Sequence, residues 1–163
     1  MTASPIVTAL FITKSQAEPM IAVEEVQAVA GRGLVGDRYF LGAGKFSNKG
    51  DWGANVTLIQ SEAIEGVNVG HQTNFTGQML RRNIVTANID LNSLIGKTFR
   101  CGAATLRGIK AYPPCTHLAR LIGNQGVLKY FAYCAGIGAE ILADGIIRLN
   151  DQIELIAQPA GQA

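Results

Sequence analysis

The chain has 163 residues, 48% hydrophobic and 16% charged, with a formal net charge of +2. That length and composition exclude a disordered chain and suit a single domain with a sizeable core. The charge is too small for nucleic-acid or membrane binding by bulk electrostatics, so neither partner is expected.

Glycines are spread along the chain between short β-prone runs, the pattern of many short strands joined by tight turns. In chain order, strands are predicted at Val7–Thr13, Val26–Ala30, Asn55–Ile59, Asn83–Thr86, Thr98–Cys101, Ala104–Ile109, Ile146–Leu149 and Gln152–Ile156. Turns fall at Gly31–Gly36, Cys101-Gly102, Asp144-Gly145 and Asn150-Asp151. Short helices are predicted at Ser61–Val67, Thr116–Leu121 and Gln125–Tyr133, the first opened by the Ser61-Glu62 signal. Leu41–Gly53 is polar, glycine-rich and without period, which reads as a long surface loop. The expected domain is residues 1–163, with a core over about 5–157 and a frayed tail at 158–163. No β-α-β rhythm with long helices is present. The reading is therefore mainly β, a closed or nearly closed barrel with a few short helices.

Three cysteines, Cys101, Cys115 and Cys134, make an odd count. The first thirteen residues lack the basic start and apolar run of a secretory signal, so a reducing cytoplasm is the expected compartment. No C-x-x-C, zinc-type array or H-E-x-x-H is present. Cys101, in a predicted strand, and Cys134, after an aromatic run, read as small packing residues. Cys115 differs. It follows Tyr112-Pro113-Pro114 and precedes a predicted helix, so two prolines fix the backbone that aims the thiol. A thiol at a loop-to-helix junction suits a metal ligand, a sulfur carrier or a nucleophile. The plainer alternative is a buried core residue.

Arg81-Arg82-Asn83 precedes the strand at Ile84. On strand alternation Arg81 and Asn83 share a face, and a guanidinium with an amide suits a phosphate or a polar heterocycle. The alternative is a pair of solvated arginines. In the glycine-rich run 31–39, Asp37 beside Arg38 reads as a local ion pair, of small worth if exposed. Lys14-Ser15 offers a cation and a hydroxyl at a strand end. His71 reads as a solvated loop residue. His117, two residues past Cys115, reads as a thiol activator or a helix cap.

Taken together, GLVGDRY at Gly33–Tyr39, VTLIQSEAI at Val56–Ile64, RRNIVTANIDLNSLIGKTFRCG at Arg81–Gly102, Pro113-Pro114-Cys115 and the closing hairpin at Asp144–Ile156 resemble the MOSC domain family. The resemblance spans nearly the whole chain. It implies a β-barrel that binds a molybdenum cofactor of the molybdopterin type or handles activated sulfur. By position, Cys115 would ligate the metal and Arg81 and Asn83 would hold the pterin phosphate or ring. Lys14 and Ser15 match a lysine-serine pair of cofactor-reducing relatives, and Arg38 matches the G-D-R arginine. The implied activity is reduction of an N-hydroxylated small-molecule substrate, with electrons from a separate redox partner. The alternative is a carrier holding a persulfide on Cys115, loaded by a sulfur donor protein. No pyridoxal phosphate is expected in this chain. One departure is Asn150-Asp151 where the family reads Gly-Asp, and Asn tolerates the left-handed turn this requires.

Overall fold

The computed structural model describes residues 3–42 and 54–157. The chain opens with β1 (Ile6–Ile12), then short β2 (Ile21–Val23), β3 (Glu25–Val29) and β4 (Gly33–Leu34). A one-turn helix α1 (Arg38–Leu41) follows. Next come β5 (Val56–Gln60), α2 (Ser61–His71), β6 (Ile84–Ala87) and a 3-10 turn at Leu91–Leu94. The hairpin β7 (Thr98–Cys101) and β8 (Ala104–Ala111) leads to α3 (Thr116–Ile122) and α4 (Val127–Tyr130). The chain finishes with β9 (Ile137–Ala143), β10 (Gly145–Arg148) and β11 (Ile153–Leu155).

Two sheets result. The larger runs β11-β7-β8-β9-β5-β6-β1-β2 and the smaller β10-β3-β4. Alternation along β8 buries Ala104, Leu106 and Gly108 and turns Arg107 outward. Val26, Ala28, Leu34 and Ile147 of the small sheet share one core with Val7, Leu10, Leu58, Phe99, Leu106 and Ile141 of the large one. On the far side of β5 and β6, Ile59 and Val85 pack against the helical residues Ile64, Leu118 and Val127 and against Phe131 just past α4. Strand β5 is thus covered on both faces, which explains its unbroken run Val-Thr-Leu-Ile.

The mainly β class with few helices stands, but a closed barrel is not found among the described residues. The large sheet curls until β1 meets the start of β11, yet they join only through the bridge Ile6–Gln152 and flanking backbone bonds such as Val7 N to Asp151 O at 2.9 Å. All eight predicted strands are present, with ends moved by a residue or two. Three more were not expected. Strands β2 and β4 are too short to show a period. Strand β9 lies between β8 and β5, and its Gly-Ala-rich start, buried without alternation, gives no strand signal. The helix expected at Gln125–Tyr133 is shorter, Val127–Tyr130. The turn expected at Gly31–Gly36 contains β4. Of the loop expected at Leu41–Gly53, Leu41 ends α1 and Gly42 caps it at φ 74°. Residues 43–53, like the tail 158–163, lie outside the described residues.

The turn into β9 depends on close backbone approach. Gly136 has φ +93°, and a Cβ there would overlap the Leu58 carbonyl oxygen of β5. Gly136→Ala is expected to lower stability by at least about 2 kcal/mol, read as a fall in the urea midpoint.

Candidate functional site

Strand β8 ends at Ala111, and Tyr112-Pro113-Pro114 carries the chain to Cys115. Neither proline has an N–H to donate, so the segment leaves the sheet as extended chain. Cys115 is itself extended (φ −126°, ψ 169°) and is the N-cap residue of α3. Its carbonyl accepts from Ala119 N at 3.0 Å, while its side chain makes no capping bond. The thiol is half-buried and in no disulfide. It opens into a cavity walled by Arg38, Tyr39, Arg81, Arg82, Tyr112 and His117, with Gln16, Pro113 and Leu118 completing the lining.

The three arginines are the unusual part of that wall, because all are buried. Arg81 and Arg82 donate to backbone carbonyls, whereas Arg38 reaches one carbonyl, the Asp37 carboxylate and the Met20 sulfur. Arg82 donates to Ala135 O (2.8 Å), Leu80 O (3.0 Å) and Tyr112 O (2.8 Å), and lies 4.3 Å over the Tyr112 ring. Arg81 donates to Glu18 O (2.6 Å) and Ser15 O (3.0 Å). Arg38 donates to Arg81 O (3.2 Å) and pairs with Asp37 at 3.2 Å. Asp37 is fully buried and also accepts from Thr13 N and Tyr39 N. The Asp37–Arg38 pair is therefore an interior anchor and not the weak surface pair its sequence suggested. Asp37 is the only carboxylate in ion-pair contact with any of the three arginines among the described residues.

Burial sets the direction of the shifts in the wall. Burial, with Arg38 nearby, pulls Arg81 below its ordinary value. Burial holds Arg82 down to about 10, against the opposing pull of Tyr112 and Tyr39. Tyr112 is pushed up, first by burial and then by Tyr39, so its phenol stays protonated at neutral pH. The Tyr39 and Tyr112 hydroxyls share a hydrogen bond of 2.8 Å.

The structure brings Cys115, Arg81 and Arg38 to one cavity, with His117 beside them. His117 Nε2 lies 3.0 Å from Gln16 O and does not cap its own helix. Asn83 is elsewhere, contrary to the shared face that strand alternation predicted. The strand proper begins at Ile84, and Arg81 precedes it with φ +59°, so alternation does not yet apply. Asn83 is fully buried between strands. Its Oδ1 accepts from Thr57 N (3.0 Å) and Thr57 Oγ1 (3.2 Å), and its Nδ2 donates to Phe11 O (3.1 Å). Lys14 is exposed and outside the cavity lining. Ser15 Oγ accepts from Ala17 N and Glu18 N, holding a turn. His71 is exposed and stacks on Tyr130 at 3.9 Å. Cys101 sits in the core, where burial pushes its thiol up to about 12. Sequence reasoning assigned no role to Arg82, Tyr39, Tyr112 or Gln16. The adjacent Arg81-Arg82 pair was visible, but its burial was not.

Among the described residues no three or more His, Cys, Asp or Glu side chains are grouped to hold a metal ion, and no helix is long and apolar enough to cross a membrane. The family model of the MOSC domain matches residues 45–154. No curated protein matches. Among solved structures, the chain resembles the YUAD protein from Bacillus subtilis, with TM-score 0.77 and 16% identity over 96% of this chain and 98% of that one. It also resembles YiiM from Geobacillus stearothermophilus, with TM-score 0.74 and 14% identity over 97% of this chain and 78% of that one. For YiiM from Escherichia coli the values are 0.69 and 15%, over 97% of this chain and 73% of that one.

The bonds of Asn83 mark it as a clamp across β1, β5 and β6. Asn83→Ala leaves buried donors and acceptors of Thr57 and Phe11 without partners. It is expected to cost about 2–3 kcal/mol, measured by urea denaturation.

Proposed function

The chain belongs to the MOSC domain family, and on that premise we propose that it binds a molybdenum cofactor with Cys115 as the protein's ligand to the metal. The carrying observation is that the Cys115 thiol opens into the same cavity as three buried guanidiniums, of which only Arg38 pairs with a carboxylate among the described residues. A thiolate is a soft, anionic donor suited to such a metal, and an under-neutralised cationic wall suits a phosphate-bearing group. The donor set therefore fits the cofactor. The enclosed volume is about 40 Å³, room for two or three waters, so most of a pterin would have to lie outside it.

When bound, the cofactor would supply the removal of oxygen from an N-hydroxylated base or amine, fed with electrons by a separate redox protein. The protein's own residues have narrower tasks. Cys115 would hold the metal from a backbone direction fixed by Pro113 and Pro114. Arg81 and Arg38 would draw and neutralise the anion. Arg82 fixes the Tyr112 carbonyl and so the start of the segment that carries the thiol. Tyr112, hydrogen-bonded to Tyr39 through its hydroxyl, closes that side of the cavity wall. Lys14 and Ser15 would act on the phosphate only through the turn at 15–18 that Arg81 anchors.

The small enclosed volume also supports a second reading, a sulfur carrier. There Cys115 would hold a persulfide received from a donor protein, and the cationic wall would stabilise the anionic terminal sulfur.

Metal and sulfur analysis of protein from a host that makes the pterin separates the two. About one molybdenum per chain, lost in Cys115→Ser while the folded signal in circular dichroism persists, supports the cofactor reading. A metal content unaffected by Cys115→Ser overturns the ligand role. Sulfane sulfur without molybdenum selects the carrier.

A further inference from the structure

Arg81 also lines a second cleft of about 360 Å³, the lower end of the size that takes a small organic ligand. Met20, Met79, Leu121 and Ile122 supply its apolar walls. Arg81 lines both this cleft and the Cys115 cavity. Two of its five N–H groups go to Glu18 O and Ser15 O, and the other three have no partner among the described residues. No carboxylate pairs with Arg81 among those residues, because Asp37 is held by Arg38. A buried cation with spare donors at the edge of an apolar cleft is complementary to one class of molecule. That class has a flat apolar body and a single carboxylate. Met79 is 41% exposed, and its thioether side chain adapts to a planar ring; Met20 is almost fully buried at the cleft floor, its sulfur accepting from Arg38 Nη1 at 3.6 Å.

We propose that the cleft between residues 17–20, Gln78–Met79 and the end of α3 binds a small aromatic carboxylate, its acid group on Arg81 and its ring against the exposed Met79 and Leu121. The site goes beyond the cofactor reading, since it is complete in the metal-free protein. Its ligand shares the Arg81 wall with the Cys115 cavity.

The chain has three methionines, Met1, Met20 and Met79. Protein labelled with methyl-¹³C methionine gives one signal for each, and two of them report on the cleft. Titration with 2-naphthoate is expected to shift the Met79 methyl saturably, the buried Met20 methyl less, and to leave Met1 in place. The neutral 2-naphthamide should bind roughly tenfold more weakly, and Arg81→Gln should erase that difference. Leu121 is 41% exposed, so Leu121→Asp tests the cleft without emptying the core. It should abolish the shifts while leaving the dispersion of the spectrum intact. Equal, unsaturable movement of all three methyls overturns the site, as does a carboxylate preference that survives in Arg81→Gln. Metal content is measured on the same preparations. Molybdenum without naphthoate binding removes this site alone, and naphthoate binding without molybdenum removes only the cofactor reading.

Discussion

Burying a guanidinium is expensive unless its donors find acceptors, and this protein does it three times within one cavity wall. The acceptors are almost all main-chain carbonyls. Arg81 takes those of Ser15 and Glu18, Arg82 those of Leu80, Tyr112 and Ala135, and Arg38 that of Arg81. A hydrogen bond to a charged group is worth about 1.5–3 kcal/mol, against under about 1 kcal/mol for an exposed ion pair. The order of the loops around the cavity therefore follows from these bonds far more than from surface contacts such as Arg148–Glu25, whose side chains are both more than half exposed.

The same bonds tie the cavity to the sheet. Arg38 sits at the start of α1 because Asp37 caps that turn, and Asp37 is in turn bonded to Thr13 just past the end of β1. Asn83 locks the start of β6 to β5 and β1. Arg81 and Arg82 immediately precede it and inherit that fixed origin. Arg82 then reaches Tyr112, three residues before the thiol. The path from sheet to Cys115 is thus short and made of directional bonds. A chain so built holds its thiol still without any bound group.

Local pattern carried much of the architecture. Short β-prone runs between glycines marked β5 and β8. Glycine and asparagine marked turns, and Asn150 does take the left-handed conformation, φ 71°. Strand β9 escaped because a central strand buried on both faces loses its period, and its first residues are small. The position of Cys115 before a helix was legible from its prolines. The rest of the wall was not. Whether an arginine is solvated or buried depends on where carbonyls from distant segments fall, and Arg81 meets Ser15 and Glu18 across more than sixty residues of chain. Asn83 misled for a related reason. Periodicity was applied one turn too early, across Arg81, whose positive φ resets the direction of the chain.

A carbonyl is the one acceptor that every amino acid carries. Exchanging the residue at 15, 18, 80, 112 or 135 alters a side chain but leaves the oxygen that the guanidinium needs. The cavity's scaffold is therefore tolerant of drift at its acceptor positions and intolerant at three donor positions. Such a network can outlast most of the sequence around it, which makes a shared shape at 16% identity physically reasonable.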